Sequence, residues 1–127
     1  MAIVFGALAN ALLGNQATSD DDIRVLPYKC RDLVVVGRVK NEGYVDLPDD
    51  GHILGRARFA VTIKVKKVVW GRVEKQFISA VSVAHSQMRE DKDFLMVLSR
   101  TNGGAYEVRT AQLQQDNPKA KLTERCH

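Results

Sequence analysis

Histidine, cysteine and carboxylate side chains are the groups that do acid–base, nucleophilic or metal chemistry, and in this chain they are scattered. His52, His85 and His127 lie far apart, and none has a second ligand at helical or turn spacing. Cys30 and Cys126 offer a thiol for a Cys-His dyad, but no third group that would orient the base is evident. Glu90, Asp91 and Asp93 cluster beside Arg89 and Lys92, the composition of a charged loop more than of an acid/base pair. The triplet Asp20-Asp21-Asp22 has no further ligand pattern after it and reads as a solvated leader or a helix start. No phosphate loop, dinucleotide fingerprint or nucleophile elbow is present. The sequence therefore predicts no catalytic residue, no metal site and no cofactor. A small hydrolase is the weakest reading.

The one defined pattern of charge is a strand. Residues 56–66 alternate strictly, with Ala57, Phe59, Val61, Ile63 and Val65 on one face. Arg56, Arg58, Ala60, Thr62, Lys64 and Lys66 share the other. Such a face suits an anionic surface, or it is simply a solvated strand whose Lys and Arg guard an edge. A nucleic-acid reader needs aromatic rings between the cations for base stacking. Ala60 and Thr62 cannot supply them, and aromatics are only 6% of the chain. Trp70, next to Gly71, is either a plug at one end of the fold or part of a binding site.

The elements that must hold this strand follow from length and pattern. The chain has 127 residues, 45% hydrophobic and 27% charged, with a formal net charge of +4. That is one ordinary globular domain, not a disordered chain, a coiled coil or a multi-span membrane protein. Two cysteines exclude a disulfide-dense mini-protein and a four-cysteine zinc site. A continuous apolar run, Leu33 to Val36, predicts a first strand over 32–39 buried on both sides, with Gly37 at a bend. Residues 41–51 read as turn, most strongly at Pro48-Asp49-Asp50-Gly51. The β pattern then runs from about Ile53 to Val69, too long to lie straight across so small a domain, so it must coil. Further strands are expected over 76–83, 94–100 and 105–110, with a helix or loop over 84–92 and a tight Asn102-Gly103-Gly104 turn. The expected fold is all-β with minor helix: a five-stranded Greek-key barrel of the OB kind, with short helical segments at both ends.

Residues 1–17 begin with an uncharged stretch, Met1 to Gly14, too short to span a bilayer. It fits the apolar part of a secretory leader, with small-residue sites at Ala7-Leu8-Ala9 and Ala9-Asn10-Ala11, although no Lys or Arg precedes Arg24. A packed N-terminal helix is the alternative. Residues 18–29 then form a linker, and residues 30–127 the barrel domain with its tail. Cys30 and Cys126 either staple the two ends of the domain, which requires an oxidising compartment, or remain two free thiols.

Cys30 followed by Asp32-Leu33-Val34-Val35-Val36-Gly37-Arg38-Val39 resembles the opening of netrin-like modules, the group that includes the tissue inhibitors of metalloproteinases. The pattern Phe59-x-Val61-x-Ile63-x-x-Lys66-x-Val68-x-Trp70-Gly71 resembles their second strand. Phe94 to Leu98, Gly103-Gly104 and Tyr106 resemble their closing hairpin. The likeness covers residues 30–110. It departs in having only two cysteines and in placing Cys30 after Tyr28-Lys29, which suits a reduced-disulfide, exported bacterial relative. What the resemblance implies is a periplasmic or secreted protein-binding or inhibitor-type module. Its contact residues are expected to be Arg56, Arg58, Lys64 and Lys66 with His52 and Trp70, facing an acidic protein, without stable membrane insertion. The alternative is a cytoplasmic barrel that binds single-stranded nucleic acid.

Overall fold

A computed structural model describes residues 24–47 and 55–127. The leader at 1–17, the aspartate triplet, the turn at 48–51 and His52 all lie outside the described residues. So does the expected N-terminal helical segment. The strands are β1 (Val25–Tyr28), β2 (Leu33–Asp46), β3 (Ala57–Trp70), β4 (Phe77–Ala84), β5 (Phe94–Arg100), β6 (Tyr106–Leu113) and β7 (Lys119–Leu122). Five of them close a barrel in the order β2-β3-β4-β6-β5, and β1 pairs with β7 in a separate two-stranded sheet. Every barrel pairing is antiparallel except β4 with β6, a short parallel contact at Ala80–Tyr106 and Val81–Glu107.

The alternation of β3 emerges as expected. Ala57, Phe59, Val61 and Ile63 point into the barrel and are buried, while Arg58, Ala60 and Lys64 face solvent. The strand coils by means of bulges against β2. Register breaks leave Glu42 on β2, and Lys66 and Val69 on β3, without an opposite residue. Each extra residue adds local twist, which lets two fourteen-residue strands wrap a small core. Glu42 and Gly43 also carry β2 past the expected turn, so residues 41–46 are strand.

Gly37 stands at one of these breaks. A Cβ there would run into the backbone carbonyl of Lys64 and crowd Ile63. The two long strands approach so closely at this point that only glycine fits.

Two clusters hold the fold. The barrel interior is filled by Leu33, Val35, Val39, Phe59, Val61, Ile63, Met96 and Leu98 with their neighbours. The second cluster lies outside the barrel, where β1 and β7 cover the outward side chains of β2 and β5: Leu26 and Tyr28 pack on Val34, Leu95 and Val97, with Trp70, Ala120 and Leu122 around them. This is why the runs at Leu33–Val35 and Leu95–Leu98 are buried on both faces. β1 arises within the segment expected as linker. The tail, expected to be helical or loose, has one 3₁₀ turn (Gln114–Asp116) and otherwise becomes β7, parallel to β1. Residues 85–93 form no helix.

Cys30 and Cys126 are joined by a disulfide, 96 residues apart in the chain. The turn that carries Cys30 is tied on every side. Its N–H donates to Glu124 Oε2 at 2.9 Å, and its carbonyl accepts from Trp70 Nε1 at 3.2 Å. Asp32, only 7% exposed, accepts the Lys29 N–H at 2.7 Å and Arg109 Nη1 at 2.9 Å. Arg109 is the unopposed residue of a bulge on β6, which aims its side chain at Asp32.

Three stability experiments follow from this packing. Gly37→Ala should lower the unfolding free energy by about 1–3 kcal/mol in urea titration, the usual cost of overpacking. Gly43→Ala, where nothing lies within 4 Å, should stay within about 0.5 kcal/mol of the parent. Replacing both cysteines by serine should cost about 4–5 kcal/mol on the chain-entropy account of so long a loop. Because an isolated two-stranded sheet is marginal in water, hydrogen exchange should show the β7 amides losing protection before those of β5.

Candidate functional site

Strands β2, β3 and β4 lie side by side, and their registers set the outward side chains in rows. Arg38, Lys64 and Phe77 form one row. Lys40, Thr62 and Ser79 form the next, then Gly43, Ala60 and Val81, and finally Val45, Arg58 and Val83. Arg38, Lys40, Thr62, Lys64 and Phe77 of these first two rows, together with Glu42 and Glu90, border a concavity of about 580 Å³. Phe77, the first residue of β4, is 56% exposed.

The cations of this face divide by partnership. Lys66 Nζ lies 2.9 Å and Arg38 Nε 3.0 Å from Asp93 Oδ1, so one carboxylate clamps β2 to β3 from the β4–β5 connection. The Asp93 carbonyl also accepts the Gln114 N–H at 2.9 Å. The Lys66 ammonium, and after it the Arg38 guanidinium, hold the Asp93 carboxyl below its ordinary range despite some opposing desolvation. Glu90 is occupied by Asn41, accepting its backbone N–H at 2.6 Å and its side-chain amide at 3.2 Å. Among the described residues, Lys40, Arg58 and Lys64 take part in no ion pair and are exposed.

The other residues singled out in the sequence go elsewhere. Trp70 belongs to the second cluster, its ring 5.4 Å from that of Tyr28 and its N–H on the Cys30 carbonyl. Arg56 is half-buried just before β3, where its carbonyl accepts the Leu47 N–H. His85 Nδ1 meets the Gly55 carbonyl. The carboxylates of the 89–93 segment also separate: Asp91 pairs with Arg89 at 2.8 Å and Asp93 with β2 and β3. No group of three or more His, Cys, Asp or Glu side chains placed to hold a metal ion occurs among the described residues.

Comparison with protein-family models, curated proteins and solved structures finds no match. The geometry alone speaks for the site. Among the described residues, no helix is long and apolar enough to cross a membrane.

The face therefore gains Arg38, Lys40 and Phe77, which the alternation of β3 does not reveal. Arg38 and Lys40 flank the buried Val39, and that pattern was a usable signal. Nothing in the β4 sequence separates Phe77 from a core residue. The arrangement can hold an anion against Lys40 and Lys64, with an apolar or planar group on the Phe77 ring.

The Asp93 clamp has a definite pH dependence. A carboxyl held below its unfolded value stabilises the fold above the ordinary range near pH 4, and that contribution disappears as pH falls through the lowered value. Asp93→Asn should lower stability at pH 7 by no more than about 1 kcal/mol, since the cluster is solvated. The difference in thermal midpoint between wild type and variant should close as the pH drops below about 4.

Proposed function

We propose that the chain is an exported, non-enzymatic, protein-binding or inhibitor-type module on an OB-like, netrin-like barrel, holding an acidic partner on the outer face of β2, β3 and β4. The observation that carries this reading is a set of exposed cations, Lys40, Arg58 and Lys64, that take part in no ion pair among the described residues and stand on one face with the exposed Phe77. Strand faces of small barrels are natural ligand surfaces because the backbone beneath them is rigid. The barrel order, closed by one parallel pairing, supports the OB-like reading. The disulfide supports an oxidising compartment, periplasmic or extracellular.

One observation favours a second reading. Phe77 supplies, from β4, the stacking ring that β3 lacks, and a basic groove with an aromatic ring suits single-stranded nucleic acid. The disulfide argues against the cytoplasm, where such a protein would act.

Titration with poly-L-glutamate and with a single-stranded thymidine oligomer at low ionic strength separates the two. Saturable binding of the polypeptide is expected, and Arg58→Glu with Lys64→Glu should weaken it at least about tenfold while leaving the thermal midpoint unchanged, as suits exposed charges. Unchanged binding in that double variant overturns the assignment of the face. Tighter binding of the oligomer, falling steeply with salt, moves the protein to the nucleic-acid class.

A further inference from the structure

The face is shaped for more than a diffuse cloud of negative charge. Arg58 and Lys64 stand at two ends of an uninterrupted stretch of β3, which pairs with β4 without a register break from Ala57 to Lys64. At about 3.3 Å per residue they are about 20 Å apart. Between them the outward residues are small. Ala60 is flanked by Gly43, which has no side chain, and by the half-buried Val81, while Thr62 is half-buried next to Ser79. The result is a trough with a low, mainly apolar floor and raised cationic ends. At one end Arg38, Lys40 and Lys64 stand beside Phe77. At the other, Arg58 lies between Val45 and Val83, which are 66% and 36% exposed.

The acidic residues sharpen the pattern. Glu42, the unopposed residue of the β2 bulge, is exposed and adjoins Gly43 at the side of the trough. It borders the same concavity as Lys40, Thr62, Lys64 and Phe77, on the side toward Gly43, where its charge disfavours a carboxylate over the middle of the trough; the other acid there, Glu90, is engaged by Asn41. An extended peptide repeats at the same spacing as β3, and residues at even separations share one of its faces.

From this, and resting on the proposed acidic-partner function, we infer that the trough takes one extended peptide segment along β3. Its carboxylates at positions i and i+6 meet Arg58 and the Lys40–Lys64 pair, and uncharged side chains at i+2 and i+4 lie over Ala60 and Thr62. The aliphatic stem of the carboxylate residue that meets Lys64 rests on Phe77, which stands abreast of Lys64. The charge pattern of the floor and ends, not the total charge, sets the specificity.

Two nonapeptides of identical composition test this with the oxidised full-length chain, each carrying two glutamates in an otherwise Ala/Ser/Leu sequence. In one the glutamates are at positions 2 and 8, in the other at positions 4 and 6. Fluorescence anisotropy at low ionic strength should show the wide-spaced peptide binding about fivefold tighter or more, the worth of one exposed ion pair at the top of its usual range. Glu42→Gln should narrow that ratio by improving the close-spaced peptide, and Phe77→Ser should weaken the wide-spaced one. Equal affinity of the two peptides, or absence of binding by both, overturns the spacing rule. If poly-L-glutamate still binds and still depends on Arg58 and Lys64, the acidic-partner function stands without it. A seven-nucleotide thymidine oligomer that displaces the wide-spaced peptide and binds more tightly also overturns the peptide assignment.

Discussion

The close approach of β2 and β3 at Gly37 is the constraint on which the rest of the structure depends. Two strands of fourteen residues cannot lie straight across a domain of this size. They coil instead, and the coil is concentrated at the breaks that isolate Glu42, Lys66 and Val69. Without a side chain at position 37, the Lys64 carbonyl can come near enough for the ladder to continue through the bend. The same coil sends β2 on to meet β5 over residues 33–37, which closes the barrel. It also fixes the outward rows, because the registers at Arg38–Lys64 and Lys64–Phe77 are what bring those side chains abreast.

Closure creates a second demand. The stretches of β2 and β5 that meet are apolar on their outer side too, and Val34, Leu95 and Val97 would face water if nothing covered them. The β1–β7 sheet is that cover. It is too small to persist alone, so it is held by Leu26 and Tyr28 from beneath and by the disulfide beyond its end. Burial of Asp32 belongs to the same arrangement. A carboxylate that accepts two hydrogen bonds and faces Arg109 is tolerable in the interior, and through Lys29 it sets the turn that presents Cys30. Trp70 completes the junction, which explains why a residue type common at interfaces is here packed in the fold.

These two demands also explain what could be read from the chain. The alternation of residues 57–64 is strict because one face is wholly inside and one outside, so it was plain in the sequence. The run Leu33–Val36 announced burial on both sides, and Gly37 announced the bend. Cys30 and Cys126 suggested a staple across the domain. The strand over 76–83 was expected and is β4, but which of its sides faces inward was opaque for a physical reason. Its inward residues are Ile78, Ala80 and Ser82, and its outward ones Phe77, Ser79, Val81 and Val83, so the larger apolar residues lie on the solvent side. The crowded interior opposite β3 takes small side chains there, which inverts the usual signal. The pairing of Arg38 with Asp93 escaped notice because the two are 55 residues apart, and their meeting depends on closure of the barrel. The β1–β7 pairing, parallel and formed between the two ends of the domain, has no local signature at all.

The division of labour among the cations is the last consequence of this geometry. Lys66 sits at a bulge, which frees its direction from the regular alternation and lets it join Arg38 on Asp93. That pairing joins β2, β3 and the segment leading into β5, so these charges serve the fold. Lys40, Arg58 and Lys64 occupy regular positions, where the ladder alone decides their direction, and their charges remain solvated. A solvated ammonium or guanidinium adds little to stability but still attracts an anion over roughly a Debye length of about 8–10 Å. Lys40, Arg58 and Lys64 thus stay open on the outer face, while Lys66 and Arg38 hold the barrel through Asp93. On this scaffold the outer face of β2, β3 and β4 can change its exposed residues without disturbing closure, because Gly37, Asp93 and the covered cluster already determine where that face stands.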